Sequence, residues 1–173
     1  MKRLIGSILL LLLISCYLWS CEKDDLCPST TPTTPSLIIR FYNTNNHASL
    51  KTVTDMKVFM EGRDTITLGS RDSIALPLRT DGTSTRWGIM YNRGTTSVVN
   101  DIDYLEFKYI TREEYVSRAC GYKVLFTLNN DTNSNPNPVI TDNSVESHLW
   151  IDEYEVLNTN IENENAAHVK IYF

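Results

Sequence analysis

The sequence predicts an all-β fold, a single antiparallel β-sandwich of about eight or nine strands with an immunoglobulin-like type of architecture. Three observations predict it. From Ser36 onward, apolar and polar residues alternate in short runs, the period-two signature of a strand with one buried face. Gly, Asp and Asn separate those runs at short spacing, as turns do. No long apolar pattern of helical period interrupts them. A chain of 173 residues is the size of one domain, and its body can bury about two-thirds of its unfolded surface.

The first element is not part of that body. Lys2 and Arg3 precede an apolar run from Leu4 to Ile14, too short to span a bilayer and of the length of a secretory signal. Within `LLLLLISCYLWSCEKDDLC` (Leu9 to Cys27) two cysteines follow a small residue, as in the lipobox of bacterial lipoproteins, which such a signal resembles. Cleavage before Cys16 leaves Tyr17, Leu18 and Trp19 at the new terminus. Cleavage before Cys21 leaves Glu22, Lys23, Asp24 and Asp25, a run similar to the short acidic signal that sends lipoproteins of Bacteroidota-type bacteria to the outer face of the outer membrane. Cys21 is therefore favoured as the lipidated residue, although Trp19 sits awkwardly two positions before it. The expected division is 1–20 signal peptide, 21–36 anchor and extended linker, and 37–173 sandwich. Removing the signal takes two basic residues and no acid, so the mature chain is two charges more negative than the −5 of the whole. That balance argues against nucleic acid and against electrostatic docking on anionic lipid.

With Cys21 assigned to lipid and Cys16 discarded, Cys27 and Cys120 remain in an oxidising compartment, where an even remainder invites a disulfide. Loop entropy assigns such a bond about 4–5 kcal/mol. Pairing would also stop `STTPTTPS` (Ser29–Ser36), a Pro/Thr-rich extended segment, from acting as a free stalk. Only Cys21 to Cys27 would then tether the body, at most about 20 Å of chain.

The strands follow in order. `SLIIRFYN` (Ser36–Asn43) sets Leu37, Ile39 and Phe41 on one face and Arg40 on the other. `DMKVFMEG` (Asp55–Gly62), `DTITL` (Asp64–Leu68) and `DSIALPLR` (Asp72–Arg79) come next. `RTDGTSTRWGIMYN` reads as a hairpin turning at Asp81-Gly82. `DYLEFKYI` (Asp103–Ile110), `YKVLFTLN` (Tyr122–Asn129), `SHLWIDEYEVLN` (Ser147–Asn158) and `HVKIYF` (His168–Phe173) complete the series. `TREEYVSRACG` stays open. Thr111 and Glu114 suit a capping box and a short helix, while its strand neighbours favour a strand with a bulge at Gly121.

Signal, `CEKDDLC`, the Thr/Pro segment, `LIIRFYN`, `SIALPLRTD`, `YVSRACGYK` and `NENAAHVKIYF` together resemble an uncharacterised family of Bacteroidota lipoproteins, a domain of unknown function, over nearly the whole mature chain. The resemblance implies a small exported all-β lipoprotein. It carries no activity, ligand or catalytic residue.

Candidate sites are few. Asp131, Asn133, Asn135 and Asp142, with Asn137 between, match the alternate oxygen ligands of a calcium loop, but Pro136 stands where the tight turn wants Gly. The same stretch reads equally as a plain polar loop, and no cofactor is expected. His47, His148 and His168 lack zinc-type spacing. Asp101/Asp103, Glu113-Glu114 and Glu153/Glu155 are pairs any acidic domain contains, and Ser73 and Ser117 lie in no nucleophile elbow. Trp87 and Trp150 read as core rather than as a sugar-stacking platform. Asp64-Thr65-Ile66 and Asp72-Ser73-Ile74 resemble acceptor tripeptides of Bacteroidota O-glycosylation, and equally ordinary turn-to-strand transitions. The expected function is a non-enzymatic, lipid-anchored binding or scaffolding protein of the outer membrane, facing the cell surface or the periplasm. Its partners would be the membrane, through the N-terminal lipid, and a protein or glycan. The alternative is an envelope hydrolase or a carbohydrate-active or carbohydrate-binding protein.

Overall fold

The structure, a computed structural model, describes residues 26–92, 100–129, 136–142 and 149–173. The all-β expectation holds. Among the described residues there are twelve strands and no helix, and the strands form two sheets packed as a sandwich.

The first sheet is built around β1 (Leu37–Asn43). One edge of β1 pairs with β12 (Val169–Tyr172), which in turn pairs with β10 (Glu153–Val156). The other edge is shared by β5 (Ser73–Leu76) and β2 (Asn46–Leu50). The second sheet runs in the order β11 (Asn160–Ile161), β8 (Gly121–Leu128), β7 (Asn100–Ser117), β6 (Ser84–Asn92), β3 (Val53–Met60) and β4 (Ile66–Arg71), with β9 (Val139–Asp142) also on β7.

Alternation decides which face is buried. Leu37, Ile39 and Phe41 are fully buried while Arg40 is exposed, as expected of β1. Along β7 the inward set is Asp101, Asp103, Leu105, Phe107 and Tyr109. Leu105, Phe107 and Tyr109 meet Ile74 and Leu76 of β5 and Val169 and Ile171 of β12 in one core. Trp87 and Trp150 belong to that core. Trp150 packs edge-on to Phe173 at 5.3 Å, with Tyr91 at 5.5 Å and Phe41 at 6.3 Å.

Several expectations are corrected. The sandwich has more than nine strands, because β2, β9 and β11 are short and make their pairings with little apolar alternation to reveal them; β2 is exposed throughout. It is not purely antiparallel, since β1 and β12 run parallel. That pairing is closed at its start by His168, whose backbone N–H donates to Ile38 O at 2.8 Å while its Nδ1 accepts from Ile38 N–H at 2.9 Å. The hairpin expected at Asp81-Gly82 does not form. Its arms pair in different sheets, β5 with β1 and β6 with β3 and β7, so residues 77–83 cross from one sheet to the other. The strand expected at Asp64–Leu68 begins at Ile66 and runs to Arg71, and the one expected at Ser147–Asn158 is confined among the described residues to β10. The open segment is a strand: β7 runs to Ser117, a turn follows, and Gly121 enters β8 at φ +70°, where a side chain would be strained.

The chain divides into two compact units. The larger comprises residues 32–114 and 123–173 and holds the core. In it the Pro/Thr segment is docked: Pro35 is buried, Thr34 Oγ1 accepts from Val124 N–H at 2.9 Å, and Ser36 N–H donates to Glu164 Oε1 at 2.7 Å. In the smaller unit, described at 26–31 and 115–122, a disulfide joins Cys27 to Cys120, as the cysteine arithmetic expected. Ser117 Oγ accepts from Cys120 N–H at 3.0 Å and shapes the turn that presents the sulfur.

A candidate binding cleft

A concavity of about 570 Å³ lies in the larger unit between the β3–β4 turn and the β5–β6 crossover. Met60 and Ile66 supply an apolar wall, and the edge of Trp87 closes the floor. Glu61, Arg63 and Asp64 come from the turn, which closes through Arg63 N–H to Met60 O and needs Gly62 at φ +74°. Arg79 and Asp81 come from the crossover.

The crossover is held from below by buried groups. Trp87 Nε1 donates to Pro77 O at 3.1 Å, and Arg79 N–H donates to Thr85 Oγ1 at 2.9 Å. The Tyr109 hydroxyl donates to Arg79 O at 2.8 Å and meets Thr85 Oγ1 at 2.6 Å. Thr85 and Tyr109 are buried, and burial raises the Tyr109 pKa, so this network stays neutral across the ordinary range of pH. A neutral, satisfied network of this kind fixes backbone position without stranding a charge.

Above it the side chains are exposed. Arg79 grips Asp81 with two contacts, Nε to Oδ1 at 3.0 Å and Nη2 to Oδ2 at 3.3 Å. The hydrogen bond and charge of Arg79 hold the Asp81 carboxyl below its usual range, and Asp81 raises Arg79 in turn. Such an exposed pair adds little stability, because water screens it. Its use is to present a guanidinium in a fixed plane, a shape that matches carboxylates, phosphates or hydroxyl pairs. Arg63 is exposed and makes no ion pair among the described residues. Glu61 reaches Arg86 at 4.0 Å, and the Arg86 guanidinium lies over the Tyr104 ring at 4.0 Å.

A protein-family model described as a family of unknown function, DUF6452, matches residues 52–173. The chain belongs to this family. The match spans every residue of the cleft, together with Asp103, Cys120 and His168, and begins after β1 and β2. No curated protein matches the chain, and no solved structure matches it.

The sequence-derived candidates of this family member are scattered. Cys21 and the export run Glu22, Lys23, Asp24 and Asp25 lie outside the described residues, as do His148 and the calcium candidates Asp131, Asn133 and Asn135. Asp142 ends β9 directly opposite Asp103. Asn137 is already committed: its Oδ1 accepts from Lys108 N–H at 3.0 Å, and its Nδ2 donates to Lys108 O and Asn129 O. His47 stacks on Tyr172 at 4.1 Å on the surface. Burial lowers the pKa of His168, which keeps its Nδ1 an acceptor for Ile38. Glu153 and Glu155 share the exposed face of β10, while Thr65 is exposed just before β4 and Ser73 is half-buried in β5.

Sequence reasoning passed over two features. Asp101 and Asp103 are buried rather than solvated. Asp103 Oδ2 accepts from both Trp150 N–H and Ile151 N–H at 2.9 Å, while its Oδ1 has no hydrogen-bond partner among the described residues. Burial pushes the Asp103 carboxyl up to about 6, against the lowering effect of those two hydrogen bonds. The signal was present, since both aspartates are in phase with Leu105, Phe107 and Tyr109. The second feature is the cleft itself, whose residues come from separate turns with no shared motif.

Proposed function

We propose that this protein is a lipid-anchored component of the bacterial outer membrane, held by an acylated Cys21, directed to the cell surface by Glu22, Lys23, Asp24 and Asp25, and devoted to binding or scaffolding. The lipobox-like signal and the acidic run behind it support the anchor. The observation that carries the binding role is the cleft, where an exposed Arg79–Asp81 fork stands on a buried neutral clamp beside an apolar wall. Few, well-placed polar groups on an apolar surface are what recognition requires. The lowered pKa of Asp81 suits a fixed acceptor rather than a proton donor. Trp87 and Trp150 are core residues, which weighs against their serving as a sugar-stacking platform.

Two experiments test the two halves. Cys21→Ala should release the protein from membranes on fractionation while Cys16→Ala leaves it bound, and the reverse result would reassign the lipidated residue. A photo-crosslinking side chain at Ile66, on the cleft wall, should capture a discrete species in intact envelopes. The same probe at exposed Leu157 serves as the control. Equal patterns at the two positions would remove the cleft from consideration.

A further inference from the structure

We propose that the β7–β8 turn is a membrane-facing surface, with Tyr115 and Tyr122 seated at the headgroup level of the bilayer that holds the N-terminal lipid. The proposal rests on the anchoring at Cys21 and goes further, because it assigns the face that meets the lipid.

Among the described residues, three of the eight large hydrophobic side chains that stand exposed, Leu26, Tyr115 and Tyr122, fall in the smaller unit, which is described at 26–31 and 115–122. Leu26 is 83% exposed, Tyr115 58% and Tyr122 66%. The two tyrosines are not scattered. Their rings pack edge to face at 5.3 Å and form one amphipathic patch across the hairpin. Arg118, at the turn between them, is exposed and makes no ion pair among the described residues. An apolar ring with a polar tip, flanked by a cation, is the composition that partitions into the interface between water and hydrocarbon, where phosphates accept from the guanidinium.

The occupant follows from the tether. The disulfide fastens Cys27 to Cys120 in this same turn, and Cys21 lies six residues before Cys27. Six extended residues reach at most about 20 Å, so the turn cannot leave the vicinity of the bilayer. Without the disulfide, the first docked side chain along the chain is Thr34, which would allow about 45 Å. A patch confined so near the lipid meets it at high effective concentration, and weak partitioning then suffices to orient it. The acyl chains supply the affinity, and the tyrosines set which way the protein faces.

The test uses the full lipidated chain in vesicles of phosphatidylethanolamine and phosphatidylglycerol, with hydroxyl-radical labelling read by peptide mass. Flotation reports the anchor and labelling reports the face. The expected result is co-flotation, with oxidation of Tyr115 and Tyr122 reduced at least threefold relative to the soluble Cys21→Ala protein, while Leu157 is unchanged. Replacing both Cys27 and Cys120 with Ser should preserve flotation and restore labelling of the tyrosines. Flotation with full labelling of both rings overturns the assignment of the face and leaves the anchor standing. Failure to float overturns both. Protection in native envelopes but not on pure lipid also overturns it, in favour of a protein partner.

Discussion

Asp103 shows how one buried carboxylate ties a loop to a sheet. Two N–H groups converge on its Oδ2 and so seat Trp150 and Ile151 over the core, yet the group titrates near 6 because burial outweighs those bonds. Its folded pKa lies above the unfolded value, so the folded chain holds the proton more tightly. The stability it contributes is fully present below about pH 4 and is lost as pH rises through about 6. Asp103→Asn keeps a carbonyl acceptor and removes the charge. It should flatten that limb and raise stability at pH 7 by about 2 kcal/mol, read from urea midpoints between pH 4 and 7.5. An unchanged pH slope would show that Asp103 titrates normally. His168 acts in the opposite sense: its pKa is lowered by burial, so its contribution is present above about 6.5 and falls as pH drops below that value.

At the scale of the element, β6 explains how the outer face of the second sheet is packed. Phe59, Gly88 and Tyr104 stand side by side on β3, β6 and β7, and the Phe59 ring lies where a Gly88 side chain would be. A Cβ at Gly88 would meet that ring at 2.4 Å, and Phe59 meets Tyr104 edge-on at 5.9 Å. Glycine is retained in a strand here because an aromatic ring covers it. Gly88→Ala should cost about 1–2 kcal/mol in thermal or chemical unfolding, through displacement of the ring. In a Phe59→Ala background the same change should cost nothing, and equal costs in both backgrounds would refute the ring as the cause. The β5–β6 crossover is the other element-level lesson. Asp81-Gly82 carries hairpin chemistry, yet Leu76 and Leu78 are buried on either side of Pro77, and β5 finds β1 as its partner. Local turn residues permit a reversal, and the partner is chosen by which core face the next strand completes.

For the whole molecule, the Cys27–Cys120 bond spans 93 positions in sequence, and long closures restrict the unfolded chain most. Replacing both cysteines with Ser should lower the unfolding free energy by about 2–5 kcal/mol, with the folding limb of the kinetics giving the clearest readout. A loss well under 1 kcal/mol would mean that the bond serves the tether alone. Charge is the second property at this scale. The acidic balance of the chain argues against electrostatic docking on anionic lipid, so the proposed contact of the Tyr115–Tyr122 turn would rest on its aromatic rings and on Arg118.

Much of this was legible in the residues themselves. Period-two alternation placed Leu37, Ile39 and Phe41 in the core before any fold was known, because in a strand the inward positions must repeat every second residue. Cysteine count predicted the Cys27–Cys120 bond, since an even remainder depends on composition and order alone. Partnership between strands was not legible. Nothing local to `NHASL` marks it as β2, nothing local to `HVKIYF` makes it run parallel to β1, and the cleft unites Met60 with Arg79 only once the crossover is in place. Alternation says which side of a strand is buried and is silent about its neighbours. Those are decided when two sheets close over one core, and the buried roles of Asp103, Asn137 and His168 exist only after that closure.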